Sequence, residues 1–477
     1  MKFPRLTLSS FALALSGCVL APQLSPQKPA LTESAVGLEG PAAAKTANGW
    51  WQAYGDPQLD RLIAESFAGN PRLAEAMARV RTAQARVQAA SAATRPGVSL
   101  DGQEVYQRFP EHDIVPPPFG GGHYWRGQIG VNLNWDLDFF GRQAAVIEQS
   151  RAASKAAALD VESARLALAG ALAQAYVDLD RAHVLADIAR RAEAQRQNIL
   201  DLTNKRLSAG LDTRSELRAA ESLLPQARLA RLQAEAAVEL AVHRLAALTG
   251  HGAEVYASIT RPHLDLDAAL TLPEKLPLDL LKRRPDVLAA RARVDAAVSG
   301  QAAAKAAFYP DINLSAFAGF GAIGLDNLFR SGDRTYGAGP AIHLPLFDAQ
   351  RLKAAYRGAA AEADAAVAAY NDTVLQAVQQ AADQLTQIAS YRQQLSESGQ
   401  ALAASEDAYR IAELRYRNGL TGYLNVLNAE TSVLNARRTQ VDLVAEQAIA
   451  RVTLLLALGG SFDPDSINAL LIRRDDV

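Results

Sequence analysis

Residues 125–140 read WRGQIGVNLNWDLDFF. From Trp125, every second residue runs Trp125, Gly127, Ile129, Val131, Leu133, Trp135 and Leu137. Between them stand Arg126, Gln128, Gly130, Asn132, Asn134 and Asp136. Successive side chains of an extended chain point to opposite faces, so this alternation gives a strand with one apolar and one polar face. Two settings suit such a strand: a soluble sheet laid on a core, or a membrane barrel with a wet lumen. Its length fits the roughly 9–11 residues of a membrane-spanning strand.

The surrounding chain has another character, rich in Ala and poor in Pro over long stretches. Of its 477 residues, 49% are hydrophobic and 21% charged, which is ordinary for a folded protein, and the length allows several domains. A formal net charge of −2, from 49 basic and 51 acidic residues, gives no concentrated basic surface for nucleic acid. No apolar run approaches the roughly 18 residues of a spanning helix. One Cys and seven scattered His leave no thiol-based metal cluster, and no nucleophile–base pair stands out. An enzyme is therefore not expected, nor a cofactor, a metal or a nucleic-acid partner.

The N-terminus reads MKFPRLTLSSFALALSGCVL. Lys2 and Arg5 make a basic start, Leu6 to Leu15 an apolar segment too short to span, and small residues precede Cys18. Leu15-Ser16-Gly17-Cys18 resembles the bacterial lipoprotein box, in which the cysteine becomes the acylated first residue. An ordinary signal with an incidental Cys is the other reading. On the first, 1–17 is a lipoprotein signal peptide and Cys18 the site of lipidation. Acyl chains anchor by burying methylenes, at about 0.8 kcal/mol each. Val19 in place of Asp favours the outer membrane. Residues 18–49, with Pro22, Pro26, Pro29 and Pro41, read as a lipid-anchored extended tether.

Beyond the tether the chain is written twice. NPRLAEAMARVRTAQARVQAASAATRPGVSLDG (70–102) matches RPDVLAARARVDAAVSGQAAAKAAFYPDINLSA (284–316). Pro71, Arg79, Val80 and Pro96 stand at one constant spacing from Pro285, Arg293, Val294 and Pro310. RLSAGLDTRSELRAAES (206–222) likewise echoes RYRNGLTGYLNVLNAET (415–431). So long a period marks two copies of one large unit. The first repeat is expected over 50–250 with a β-hairpin at about 97–137, and the second over 273–460 with a hairpin at about 311–346. A linker covers 251–272 and a C-terminal tail 461–477.

Each repeat opens on helices; Asp56-Pro57 is a cap followed by proline at the first helical position. After its hairpin each repeat carries a proline-free helix of roughly 60–70 residues, on the order of 90 Å long, a turn at Gly210 or Gly419, and a returning helix. In the second returning helix Leu420, Leu424, Leu427, Thr431, Leu434, Arg438, Val441, Ala445, Ala448, Val452 and Leu455 alternate at spacings of four and three, a heptad seam. A single antiparallel coiled coil and a wall of many helices share this periodicity.

Four strands cannot close a membrane barrel, since the smallest bacterial ones use about eight. An open edge in hydrocarbon leaves backbone amides unsatisfied. On the membrane reading, several chains must pool their strands.

WWQAYGDPQL (50–59), LLKRRPDVLAARARV (280–294), AFYPDINLSA (307–316) and RYRNGLTGYLNVLNAE (415–430), with the duplication and the two hairpins, resemble the TolC-like outer-membrane efflux factors. Within these they resemble the lipoprotein (OprM/NodT-like) branch, over essentially residues 50–460. The resemblance implies a mostly α protein with membrane β. Each of three protomers gives four strands to a trimeric twelve-stranded outer-membrane barrel, continued by a long periplasmic α-helical barrel. It implies a passive exit duct for small molecules, fed by an inner-membrane efflux transporter through a periplasmic adaptor. An envelope-spanning coiled-coil lipoprotein is the alternative; it accounts for the heptads but not for two pairs of two-faced strands.

The resemblance also assigns residues. Gly210, Leu211, Gly419 and Leu420 form the tips where an adaptor docks, and glycine at a helix end has its own structural reason there. Tyr416 on one side, with Ser215 and Glu216 on the other, stands where the family shuts its periplasmic end; the alternative is Tyr416 packed on its own helix and Glu216 solvated. Asn425 and Asn428, at i and i+3, occupy positions that hold inward carboxylate rings in some relatives. Arg126, Gln128, Asn132, Asn134 and Asp136 would face the barrel lumen, and Trp125 and Trp135 would sit on the outward face.

Overall fold

The computed structural model describes residues 21–23, 29–38, 49–112, 114–115, 117–266, 277, 279–345, 347–464 and 467. The expected signal peptide, Cys18, most of the tether and most of the C-terminal tail lie outside the described residues. The element order is written twice. The first series is α1 (Pro57–Gly69), α2 (Pro71–Ala92), β1 (Gly97–Arg108), β2 (His123–Asp136), α3 (Arg142–Ser208) and α4 (Arg214–Thr249). The second is α5 (Leu280–Arg283), a single turn, then α6 (Pro285–Ala306), β3 (Asp311–Ile323), β4 (Arg334–His343), α7 (Ala349–Arg417) and α8 (Tyr423–Ala457).

The start of α1 forms as its sequence dictates. Asp56 is extended, its carboxylate accepts from the Gln58 N–H, and Pro57 fills a position whose N–H would have no helical partner. The carboxylate does more than cap. Its Oδ2 also accepts from the Tyr176 hydroxyl at 2.6 Å and the His263 N–H at 2.8 Å, so one buried side chain fixes three segments.

Helices α3 and α7 run 67 and 69 residues, close to 100 Å at about 1.5 Å per residue; the returning α4 and α8 have 36 and 35. Helix α4 continues across Pro225. The stripe α8 buries corrects the expected seam. Over Ala445, Ala448, Val452 and Leu455 the two agree, but toward the turn the buried residues are Tyr423, Val426, Glu430 and Val433. Leu420 and Leu424 are exposed there. The stripe has slipped by one residue because Tyr423 packs on Tyr416, ring centroids 6.2 Å apart, and Glu430 pairs with Arg196. These anchors are aromatic and ionic, and outweigh a run of leucines.

The four strands form one antiparallel sheet in the order β1-β2-β3-β4. The two hairpins are joined through β2 and β3, with Asn132 opposite Phe317 and Gly130 opposite Gly319. Within the chain, β1 and β4 are the edges. β4 ends at His343, short of the expected 346.

The chain forms two compact units, and each draws on both repeats. One comprises Met1–Ala30, Arg79–Ala157 and Ala290–Tyr370; in its described residues it holds the sheet and a cluster of Phe308, Leu352 and Tyr356, against which Ala21 packs. The other comprises Leu31–Ala78, Ala158–Ala289 and Asn371–Val477. Its larger core joins Trp50, Tyr54, Leu62, Leu172, Tyr176 and Leu245, with Leu264 and Leu266 of the linker packed on it. A second core, near the helix turns, joins Ile199, Tyr409, Tyr416, Tyr423 and Val433. No helix among the described residues is long and apolar enough to cross a membrane.

Candidate functional site

Two places hold the residues singled out in the sequence. In the sheet, directly paired residues share a face. Val98 opposes Leu133, Leu100 opposes Val131 and Tyr106 opposes Trp125, and β3 and β4 continue this face with Leu314, Ala316, Ala318, Tyr336 and Ile342. Its apolar side chains stand open: Leu100 is 69% exposed, Ile342 66% and Tyr336 82%. Tyr106 and Trp125 pack ring on ring at 5.2 Å near the loop end of the strands. Trp135, on the same face at the other end, is partly buried and donates its indole N–H to the Thr94 carbonyl at 2.9 Å.

The opposite face is polar. Arg126, Gln128, Asn132 and Asn134 are exposed on it and Asp136 is partly so. Asn132 Nδ2 donates to Asp101 Oδ2 at 2.7 Å, Ser99 Oγ to the same oxygen at 2.8 Å, and Gln128 Nε2 to Gln103 Oε1 at 3.2 Å. Polar groups are thus paired along this face, as on a surface meant for water. Sheets buried in a soluble core have an apolar inner face and a polar outer face; here the apolar face is the one left bare.

The second place is where α3 turns into α4 and α7 into α8. Both turns close alike. Gly210 and Gly419 have φ of 73° and 74°, a left-handed conformation that other side chains resist. The Leu211 N–H returns to the Arg206 carbonyl and the Leu420 N–H to the Arg415 carbonyl, the double closure of a glycine-terminated helix. Leu211 and Leu420 project outward, 63% and 69% exposed. At the start of the returning helix the two turns differ. Thr213 and Glu216 form a reciprocal capping box at the start of α4, whereas Gly422 starts α8 with no side-chain cap.

The expected partners of Tyr416 are corrected. Ser215 is exposed, and the Glu216 carboxylate accepts from the Thr213 N–H at 2.7 Å as part of its own helix cap. Tyr416 is fully buried instead. Its hydroxyl donates to Asp212 Oδ2 at 2.6 Å and lies 3.0 Å from Thr203 Oγ1. Arg206 grips the same carboxylate through Nε and Nη2 at 2.9 and 3.0 Å. It also donates to the Tyr416 carbonyl at 2.8 Å and lies over its ring at 4.5 Å. Burial works to raise the Asp212 carboxyl, but the Arg206 and Tyr416 hydrogen bonds outweigh it and hold it below the ordinary carboxylate range. Burial first, then the Asp212 bond, push the Tyr416 phenol up to about 12. Asn425 and Asn428 are both exposed, and Asn425 donates to Thr421.

Sequence reasoning missed Asp212 and the ion pair of Arg196 with Glu430. A signal for Asp212 was present: Arg206 and Asp212 bracket the glycine turn, so folding back one helix end brings them together. For Arg196 and Glu430, far apart in sequence, there was none.

A family model described as outer membrane efflux protein matches residues 62–251 and 276–460, two blocks that follow the duplication. The fusaric acid resistance protein FusA of Burkholderia cepacia is 36% identical over 360 residues, covering 73% of this chain and 68% of that one. The toluene efflux pump outer membrane protein TtgC of Pseudomonas putida is 30% identical over 397 residues, 81% of each. Among solved structures, the outer membrane protein VceC of Vibrio cholerae superposes with a TM-score of 0.82 at 35% identity, over 88% of this chain and 100% of that one. With a bare apolar sheet face, a wet opposite face and helices of this length already in place, these likenesses fix the identity: the chain belongs to the outer membrane efflux protein family and is an outer-membrane efflux channel.

Proposed function

We propose that three copies of this chain pool their four-stranded sheets into one twelve-stranded barrel, and that the duct so formed passively conducts small organic molecules out of the cell. The observation that carries the reading is the sheet itself. Its apolar face is exposed and both edge strands lack a neighbouring strand among the described residues, a combination that hydrocarbon does not tolerate in a single copy. Edge-to-edge closure satisfies the amides and leaves Arg126, Gln128, Asn132, Asn134 and Asp136 on the water-filled side.

In this reading Cys18 carries the acyl anchor and the long helices extend into the periplasm. The exposed Leu211 and Leu420, beside Gly210 and Gly419, meet a periplasmic adaptor that brings the inner-membrane transporter. Asn425 and Asn428 line the narrow end, and the Tyr416–Asp212–Arg206 cluster keeps that end shut until the adaptor engages. The names of the relatives, fusaric acid resistance and toluene efflux, support small organic molecules as cargo. No side chain need bind cargo tightly, because selection belongs to the transporter.

The test is the detergent-corrected mass of protein extracted from outer membranes, read by light scattering. Three chain masses are expected, with an ohmic conductance in planar bilayers. A monomer under mild extraction would overturn the reading.

A further inference from the structure

By register, the polar face of the sheet carries one tyrosine and one phenylalanine, Tyr124 on β2 and Phe317 on β3, besides His343 at the end of β4. Tyr124 is engaged at the rim. Its ring lies 6.4 Å from Phe109 and 5.2 Å from Phe119, and its hydroxyl donates to the Pro118 carbonyl. Phe317 lies near the middle of its strand and is 50% exposed. An apolar ring gains nothing from water, and a shift of one residue along the strand would have placed it on the apolar face.

The ring has a built seat. Its cross-strand neighbours are Asn132 and Gly337. A Cβ on Gly337 would lie 2.8 Å from the Phe317 ring carbon Cε1 and 3.0 Å from Cζ, so only glycine lets the ring lie down on β4. Gly319 and Gly339 flank the seat on the same face, opposite Thr335 and Ser315 respectively. Asn132 is committed to Asp101 and Gln128 to Gln103. One face of the ring therefore rests on backbone and the other looks over the concavity beside the sheet, a space of about 740 Å³ also bordered by Arg126, Asp101 and Ile114. That volume falls in the range of sites for drug-sized molecules. Asp101 offsets Arg126 in charge, and Arg108, which also borders the space, is paired with Glu111 at 3.1 Å, so the chemistry favours neither anion nor cation. What remains is a π face.

We propose that Phe317 is an aromatic contact on the duct wall, a stacking surface for planar aromatic cargo that Gly337 holds flat. This rests on the reading of the polar face as the lumen of a three-chain barrel. Each duct then presents three such rings at one level. Offset stacking gives a weak, short-lived contact, which suits a passage that must release what it touches.

The experiment records the current through the full-length trimer in planar bilayers, with N-acetyl-tryptophanamide or N-acetyl-leucinamide added on the loop side. The tryptophan probe is expected to block wild type and the leucine probe to have little effect. Phe317→Ser should weaken the tryptophan block by roughly twofold to tenfold, and Phe317→Trp should preserve it. The proposal is overturned if Phe317→Ser is blocked like wild type at an undiminished open current, or if both probes block wild type equally. Wild-type trimers that carry no current would overturn the duct reading and this contact with it. An intact current with an unchanged block removes the contact alone.

Discussion

The Tyr416 hydroxyl and the Asp212 carboxylate meet at 2.6 Å, joining the end of α7 to the turn between α3 and α4. Because Arg206 holds the same carboxylate with two prongs, the pair is one arm of a network. The side chains of Arg206 and Asp212 are 10% and 2% exposed. Removing Asp212 would leave a buried guanidinium without its counter-charge, whereas removing the tyrosine hydroxyl leaves the ion pair intact. Asp212→Ala is expected to destabilise the turn region by about 3–5 kcal/mol, and Tyr416→Phe by about 1–3 kcal/mol. Denaturation of the two variants side by side checks the order; equal losses would mean that the ion pair contributes nothing beyond the hydroxyl.

Asp212 also sets a pH dependence. Its folded value is depressed, so the unfolded chain takes up the proton first as pH falls. The contribution is complete above the ordinary aspartate value of about 3.9 and is lost as pH drops below it, through the folded value. Stability plotted against pH should therefore have a shallower acid limb in Asp212→Asn than in wild type. The two curves should run parallel from about pH 5 to 8, the plateau expected where Asp212 is ionised in both states. Tyr416, pushed up to about 12, remains a donor throughout.

Deeper along the same helices, Arg196 Nε lies 3.0 Å from Glu430 Oε1, with side chains 10% and 2% exposed. The pair is close but badly aligned: neither Arg196 Nη1 nor Glu430 Oε1 has a hydrogen-bond partner among the described residues. Burial pushes the Glu430 carboxyl up, and Arg196 draws it back only in part. Glu430→Leu alone is expected to cost about 3–5 kcal/mol by stranding the guanidinium, while the double change Arg196→Met with Glu430→Leu is expected to be neutral or stabilising. A double-mutant cycle on thermal unfolding decides it, and a double variant as unstable as the single would argue that the pair is worth its desolvation.

Val131 and Asn134 lie on opposite faces of β2, and both are exposed in the single chain. Val131→Arg should cost about 2–4 kcal/mol per copy at the bilayer midplane, while Asn134→Arg is tolerated on the wet side. Recovery of oligomer from outer membranes reads this out; equal recovery would place both residues in water.

Cys18→Ser should abolish incorporation of labelled palmitate while leaving the barrel to assemble. Label retained in that variant would mean that acylation takes place elsewhere.

The strand was legible from Trp125 to Asp136 because alternation is a local property, though residues 137–140 lie beyond its end, and so were the long helices and their turns, where glycine and missing proline speak for themselves. The heptad seam was legible over Ala445–Leu455 and misread near the turn. Counting leucines does not reveal that Tyr423 and Glu430 have buried partners on other segments. Tyr416 was found by resemblance, but its partner was misplaced: Ser215 and Glu216 look available in sequence, and only the fold shows that Glu216 closes its own helix. Phe317 carried no signal. A phenylalanine in AFAGFG reads as one more apolar residue until the register puts it opposite Asn132.

The unpaired edges of the sheet bear also on how the protein comes into being. A newly exported chain carries two strands' worth of free amide templates and a bare apolar face, the makings of a sticky intermediate. It cannot settle into the bilayer and wait for its partners, because the hydrocarbon rejects its edges. If copies of the chain close the barrel as proposed, encounter, closure and insertion are coupled, and the yield of ducts should rise more steeply than in proportion to the chain supplied. On the proposed three-chain barrel, proteases and aggregation compete at low supply with a meeting of three, and the cell's control over this exit begins with a collision rate.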